Sequence, residues 1–160
     1  MLNLQPQDSR RYFMLPQAPA DAGYYVYGTP GAGAFHYAHP SMISVIMFVE
    51  REWAAIDHRQ FGVGNISLAD GPENKDHASH KNGLQVDIRP LRKDGAHAPV
   101  TWHQKDEYDQ KATAKLIGIF FSHALVRKIL FNDTSTHPSV QAWTNHDDHF
   151  HVAIKAEVIR

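Results

Sequence analysis

The sequence contains no cysteine among its 160 residues. That absence excludes disulfides, cysteine-ligated zinc sites, iron–sulfur clusters and thiol nucleophiles. The chain also lacks an apolar run long enough to cross a bilayer, because its most apolar stretch, SMISVIMFVEREWAAI, is interrupted by Glu50, Arg51 and Glu52. We therefore expect a soluble protein that does not insert into membranes.

An excess of charge of either sign is also missing. The chain carries 16 Lys and Arg against 17 Asp and Glu, and no basic run has interleaved aromatic residues. Nothing therefore favours nucleic acid as a partner. The N-terminal residues lack the basic-then-apolar order of a secretory signal. If the protein acts outside the cytoplasm, we expect a separate route to carry it there.

Histidine is the abundant residue, with 12 copies, most of them between His77 and His151. Histidine is the commonest metal ligand, and it also titrates near neutral pH. Most of the twelve are interpreted as surface or hydrogen-bonded residues. Two dense stretches stand apart, HASHKNGLQVDIRP (residues 77–90) and NHDDHFHVAI (residues 145–154), and they mark the candidate functional site.

The length predicts a single domain over residues 1–160, and residues 1–35 are interpreted as an irregular arm with one short strand. Two apolar stripes at helical spacing predict helices over about 40–58 and 106–125. The first stripe is Met42, Ile46, Val49, Trp53 and Ile56, and the second is Leu116, Ile119, Phe120 and Ala124.

Four segments have the character of strands: FGVGNISLA, LQVDIR, VRKILF and the C-terminal HFHVAIKAEVI. Helices and strands mixed in this order predict an α+β fold, with a small, mainly antiparallel sheet and flanking helices. We find no internal repeat and no interdomain linker.

Strand parity brings the polar residues of the two dense stretches together. In HFHVAI, His149 and His151 share one face, while alternate apolar residues take the other face. Asp87 projects from LQVDIR opposite an apolar face, and His80 lies just before that strand. If the two strands are neighbours, His80, Asp87 and His151 converge.

Two imidazoles, one carboxylate and a water form a common catalytic zinc site. The same donors also suit a non-heme iron centre, and spacing alone does not decide the metal. Non-heme iron oxygenases usually place their His and Asp two residues apart, unlike the seven-residue step from His80 to Asp87, so we rank that class low. No HExxH motif is present to supply a glutamate base.

Both stretches resemble a known group of proteins. HASHKNGLQVD has a His-x6-Asp spacing, and HDDHFH has His-x-His after a long gap. The pair is similar to the metallopeptidases that join lysostaphin-type, D-alanyl-D-alanine and hedgehog-like domains, and more closely to the penicillin-insensitive murein endopeptidases. Upstream, YAHP and VGNISLADG are also similar, so the resemblance runs from about residue 35 to the C-terminus.

The resemblance implies a hedgehog-like or D-Ala-D-Ala-peptidase-like fold and a zinc-dependent endopeptidase that cuts peptidoglycan cross-links, such as D-alanyl–meso-diaminopimelate bonds. It implies His80, Asp87 and His151 as zinc ligands, His149 as the catalytic histidine and His146 as its support. Residues interpreted as lining the site or binding substrate are His77, Arg89, Asp148 and Trp143. Either Asp147 or Asp148 could orient an imidazole.

The expected partner is a peptidoglycan peptide, with an immunity or inhibitor protein as a further candidate. Delivery to the periplasm or cell wall is expected by lysis machinery, a phage particle or a secretion system, or by a signal trimmed from this chain. The alternative from another class is a catalytically silent module that binds zinc and recognises a cell-wall or protein partner. An intact triad with His149 beside it argues for the enzyme.

Overall fold

The computed structural model describes residues 5–17, 21–28, 31–71 and 80–156. Its main element is a six-stranded sheet with the strand order β2-β4-β5-β8-β6-β7. Within the described residues, no helix is long and apolar enough to cross a membrane. The strands are β1 Phe13–Met14, β2 Tyr24–Val26, β3 Tyr37–Ala38, β4 Phe61–Val63, β5 Gln85–Arg89, β6 Val126–Leu130, β7 Val140–Gln141 and β8 Phe150–Ile154.

The middle of the sheet is antiparallel, in the pairs β4–β5, β5–β8 and β8–β6. The two outer pairs, β2–β4 and β6–β7, are parallel. A separate small sheet pairs β1 with β3. The predicted α+β class with a mainly antiparallel sheet is confirmed.

Helix α1 spans Pro40–Ala54. It begins where His39 Nδ1 accepts a hydrogen bond from the backbone N–H of Ser41 at 3.0 Å. Pro40 suits the first turn because N–H groups there have no acceptor within the helix, so the missing N–H of proline costs nothing. The predicted end at residue 58 is wrong. The carbonyl of Trp53 accepts hydrogen bonds from the backbone N–H groups of Ile56 and Asp57, which close the last turn. Ile56, predicted to be inward, is 59% exposed.

Helix α2 spans Gln110–Ser122, and the side chain of Asp109 caps it by accepting from the N–H of Ala112 at 3.0 Å. The predicted span of 106–125 is wrong at both ends. The residues before Asp109 form turns, and Ala124, predicted to be inward, is exposed beyond the helix. A short 3₁₀ helix, Thr134–Thr136, lies between β6 and β7.

The two helices share a core with one face of the sheet. The ring of Phe120 (α2) contacts those of Phe61 (β4) and Phe150 (β8), with centroids 6.3 and 5.8 Å apart. Burial of such aromatic residues contributes strongly to stability. The opposite face of β5 and β8 is left for polar residues. Fully buried residues of this core include Met42, Ile46, Val49, Trp53, Val86, Ile88, Leu116, Ile117 and Val152.

The N-terminal arm is more ordered than the sequence predicts. It adds β2 to the edge of the main sheet, with Tyr25 opposite Gly62. Arg10 fixes the arm to the rest of the protein by donating to the carbonyls of Leu68 and Lys81 at 2.8 and 2.7 Å, while Asp8 within the arm orients its guanidinium. The arm is therefore part of the fold, although only its short strands show a regular pattern.

Candidate active site

A cluster of two histidines and one aspartate lies on the polar face of the sheet. Asp87 on β5 is directly paired with His151 on β8. His151 Nδ1 lies 3.0 Å from Asp87 Oδ1, and His80 Nε2 lies 3.1 Å from Asp87 Oδ2. One ligating atom from each of the three residues lies within 4.8 Å of the others. The predicted convergence of these residues is thus found in the structure.

All three members of the cluster are buried, at 5–7% exposure. Burial alone would raise the pKa of Asp87, but hydrogen bonds with His151 and His80 hold that pKa well below its ordinary value. Asp87 is therefore a carboxylate at neutral pH and accepts both contacts. His80 Nδ1 faces the carbonyl of Ile66 at 3.2 Å, which fixes the ring and leaves Nε2 directed to Asp87.

The cluster fits a zinc ion by its chemistry and spacing. Imidazole nitrogens and a carboxylate oxygen are common zinc ligands, with bonds of about 2.0–2.2 Å. In a tetrahedral site such bonds place ligand atoms roughly 3.3 Å apart. The contacts of 3.0 and 3.1 Å to Asp87 are close to that spacing. Three protein ligands would leave a fourth position open, as catalytic zinc sites do.

Two more histidines lie beside the cluster. The rings of His146 and His149 have centroids 4.8 Å apart, and His146 lies 5.9 Å from His151. His149 Nδ1 contacts Asp148 Oδ1 at 2.8 Å, and its Nε2 lies 3.8 Å from Asp87 Oδ1. Burial would lower the pKa of His149, but Asp148 and Asp87 raise it above its ordinary value. Burial lowers the pKa of His146.

Asp147 holds the loop that carries these histidines. Its carboxylate accepts from Trp102 Nε1 at 2.9 Å and from Asn132 Nδ2 at 2.8 Å. Asn132 in turn accepts from the N–H of Trp143 at 3.0 Å. The Asp147 carboxylate thus joins its loop to two other segments through their side chains, whereas Asp148 contacts the imidazole of His149. The sequence analysis missed Trp102 and Asn132, and no motif marks them because their contacts come from other segments.

A group of aromatic and basic side chains extends the polar face beyond Asp87. The guanidinium carbon of Arg89 lies 3.9 Å from the ring centroid of Tyr27. The Tyr27 ring lies against Gly64, where a Cβ atom would come within 2.7 Å of the Tyr27 hydroxyl oxygen. The sequence analysis missed Tyr27. A sequence pattern does indicate it: Gly62 and Gly64 alternate in FGVG with the same spacing as Tyr25 and Tyr27 in YYVY.

The remaining predicted residues have different outcomes. Trp143 is 63% exposed and lines a depression of about 360 Å³ with Asn132, Ala142 and Thr144. Its predicted contact with substrate stays a prediction. His77 lies outside the described residues. The roles of His80, Asp87, His146, His149 and His151 also stay predictions, although the structure brings their side chains together.

A second cleft, of about 1050 Å³, lies between the end of α1 and the loop at residues 93–97. Two of its aspartates are engaged in ion pairs, Asp57 with Arg59 and Asp94 with Arg92, both at 2.7 Å. Among the described residues, the group whose donors could hold a metal ion is the His80–Asp87–His151 cluster, which does not line this wider cleft.

An α+β fold with a buried His-Asp-His group on the polar face of its sheet belongs to the class of proteins that can hold a metal ion. The sequence model of the penicillin-insensitive murein endopeptidases matches residues 32–119. The chain belongs to this family, and membership supports murein endopeptidase activity. The match includes His80 and Asp87, while His146, His149 and His151 lie beyond it. No curated protein matches the chain at a significant level.

Proposed function

We propose that the protein is a zinc-dependent peptidoglycan endopeptidase that hydrolyses a cross-link bond such as D-alanyl–meso-diaminopimelate. The observation that carries this proposal is the buried cluster of His80, Asp87 and His151, with contacts of 3.0 and 3.1 Å to the carboxylate. These residues would hold the metal. The substrate places its action in the periplasm or cell wall.

Zinc, when bound, supplies Lewis-acid polarisation of the scissile carbonyl and a water whose pKa is lowered to about 7. The chain supplies the proton transfers. His149 is suited to them because its Nε2 lies 3.8 Å from Asp87, at the edge of the cluster, while Nδ1 is held by Asp148 at 2.8 Å. It would take the proton of the attacking water and return it to the departing amine.

His146 is proposed to support the same reaction, because its ring lies near those of both His149 and His151, with centroids 4.8 and 5.9 Å away. Its Nδ1 faces the carbonyl of Thr144 at 2.8 Å, so that carbonyl fixes the ring with Nε2 directed away from the backbone. Burial lowers the pKa of His146 and so favours its neutral form. A neutral imidazole can donate a hydrogen bond to a developing oxyanion or accept one from water.

The test is incubation of purified cross-linked muropeptide dimers with the protein, followed by mass spectrometry. We expect conversion of dimers to monomers, and the fragment masses identify the bond. A chelator and His151→Ala should each abolish the conversion, because each removes the metal or one of its ligands. His58→Ala is the matched control, since His58 is exposed and is not a member of the cluster.

Metal content is measured on the same samples. Dimers that stay intact while zinc is bound stoichiometrically would contradict the endopeptidase proposal and favour the silent binding module. Cleavage that persists in the chelated protein and in His151→Ala would contradict zinc dependence while leaving the endopeptidase activity in place.

A further inference from the structure

Arg89 differs from the other half-buried arginines in its partners. Within the described residues, four arginines are half-buried, and no carboxylate lies within ion-pair distance of Arg89. A half-buried cation normally has a charged partner because desolvation is costly. The other three form ion pairs at 2.7 Å: Arg10 with Asp8, Arg59 with Asp57, and Arg92 with Asp94.

Uncharged groups hold Arg89 in place. Its guanidinium lies over the ring of Tyr27 at 3.9 Å, and Nη1 donates to the carbonyl of His97 at 3.4 Å. The His97 ring is itself stacked on Tyr25, with centroids 3.9 Å apart. A cation–π contact and a carbonyl orient the guanidinium without neutralising its charge. The positive charge therefore remains available to an anion.

The positive charge of Arg89 lies close to the candidate metal cluster. Arg89 and Asp87 are two residues apart on β5, so both lie on the same face, with Cα atoms roughly 7 Å apart. A carboxylate bound by Arg89 would therefore lie about one residue's length along the substrate from a peptide bond held at the cluster. In a D-alanyl–diaminopimelate cross-link, the carbon attached to the scissile nitrogen carries a free carboxylate. The alanine on the carbonyl side carries only a methyl group.

We infer that Arg89 is a specificity-determining residue that binds the free carboxylate on the amine-side residue of the cleaved bond. The inference rests on the proposed function and narrows its substrate class. Substrates in which this carboxylate is free are preferred over those in which it is amidated. A guanidinium forms paired hydrogen bonds with a carboxylate, which an amide does not reproduce.

The experiment compares two forms of the substrate that differ only at this carboxylate, free or amidated. The wild-type protein is compared with Arg89→Gln and Arg89→Lys. Arg127→Gln is the matched control, because Arg127 is exposed on β6 and forms no ion pair among the described residues. The first readout is kcat/KM on each dimer. The second is the Kd of the diaminopimelate-containing product, free or amidated, measured by calorimetry with the zinc-loaded protein.

For the wild-type protein we expect amidation to weaken product binding and kcat/KM by about 10- to 100-fold. Arg89→Gln should bind both forms with the weaker affinity, so that discrimination disappears. Arg89→Lys should keep part of it, since the charge remains without the planar fork. Arg127→Gln should behave as the wild type. Near-UV circular dichroism of each variant confirms that the fold is retained.

Two results would overturn the inference: equal affinity of the wild type for both forms, or discrimination that survives in Arg89→Gln. Neither result depends on turnover. A wild-type protein that discriminates in binding and cleaves nothing refutes the proposed function while supporting the carboxylate subsite. Cleavage without discrimination supports the proposed function and refutes the carboxylate subsite.

Discussion

At the scale of single residues, the proposed mechanism assigns metal binding and proton transfer to different side chains. Asp87 contacts both His80 and His151 at 3.0–3.1 Å, whereas His149 is held by Asp148 and lies 3.8 Å from Asp87. A histidine so placed can exchange a proton without being a primary ligand. The two tasks can therefore be tested by separate substitutions.

Removing the imidazole of His149 should leave the metal bound. We expect His149→Ala to lower kcat by about 10²- to 10⁴-fold, the usual contribution of general acid–base catalysis. Zinc content should equal that of the wild type, because His80, Asp87 and His151 are unchanged. Turnover is measured on muropeptide dimers and zinc by metal analysis of the same sample. Loss of zinc together with activity would show that His149 is a ligand.

Asp148 is expected to position His149. In Asp148→Asn the contact with Nδ1 at 2.8 Å loses its negative charge, and that charge helps to raise the pKa of His149 against the effect of burial. We expect kcat to fall about 10- to 100-fold with KM nearly unchanged. The pH profile of kcat should also shift its histidine limb to lower pH. An unshifted profile would contradict the positioning role.

At the scale of elements, the glycine that directly follows β4, Gly64, shapes the polar face. A Cβ at Gly64 would overlap the ring of Tyr27, with the hydroxyl oxygen 2.7 Å away. Tyr27 in turn supports Arg89 at 3.9 Å. Glycine here allows an aromatic ring to lie flat against the strand, and the arm and β5 meet through that ring.

Gly64→Ala should therefore displace Tyr27 and destabilise the protein by about 1–3 kcal/mol, the usual range for overpacking. The matched control is Gly118→Ala in α2, where a Cβ would meet nothing within 4 Å. That change should stabilise the protein by about 0.5–1 kcal/mol through helix propensity. Both are measured by urea unfolding. A neutral Gly64→Ala would show that the Tyr27 ring moves without cost.

Periodicity predicts the elements better than their ends. The stripe from Met42 to Trp53 is long and buried, so α1 is found from sequence, but Ile56 continues the spacing while the chain has already turned. Strand β2 is short and pairs with the distant β4, so its three residues, Tyr24–Val26, give little local signal.

At the scale of the whole molecule, the site depends on contacts between distant segments. The family match covers His80 and Asp87 but ends at residue 119, and β8 brings His151 next to Asp87 across the sheet. Strand parity predicts which side chains share a face, because the apolar residues fix the register. It does not predict the supports of the site, such as Trp102 on Asp147, which depend on how loops fold together.

Aspartates also connect distant segments. Asp8 connects the arm to the loop at Asp70 by accepting from the backbone N–H of that residue at 2.9 Å. Asp109 at the start of α2 pairs with Arg59, and Asp133 accepts from Tyr108 at 2.8 Å. Burial would raise the pKa of Asp133, but hydrogen bonds from Ser135, Tyr108 and Gln110 hold it below its ordinary value of 3.8. The pKa values of Asp8 and Asp109 are lowered in the same way.

These shifts predict acid sensitivity. A carboxylate whose pKa is lower in the folded protein contributes stability above its unfolded pKa. That contribution is lost as the pH falls through about 4 toward the folded value, because the unfolded chain then binds more protons. We expect the free energy of unfolding to decrease steadily below about pH 5. Protonation of metal ligands acts in the same direction, so the wild type alone does not isolate the aspartates.

Asp133→Asn isolates one of them. At pH 7 it should destabilise the protein by about 1–3 kcal/mol, because the amide replaces a charged acceptor at a buried position, 3% exposed. The difference from the wild type should shrink toward pH 3, since the metal contribution is common to both proteins and cancels. Urea unfolding at intervals between pH 7 and pH 3 measures it. A difference that stays constant with pH would show that Asp133 contributes through packing rather than through its charge.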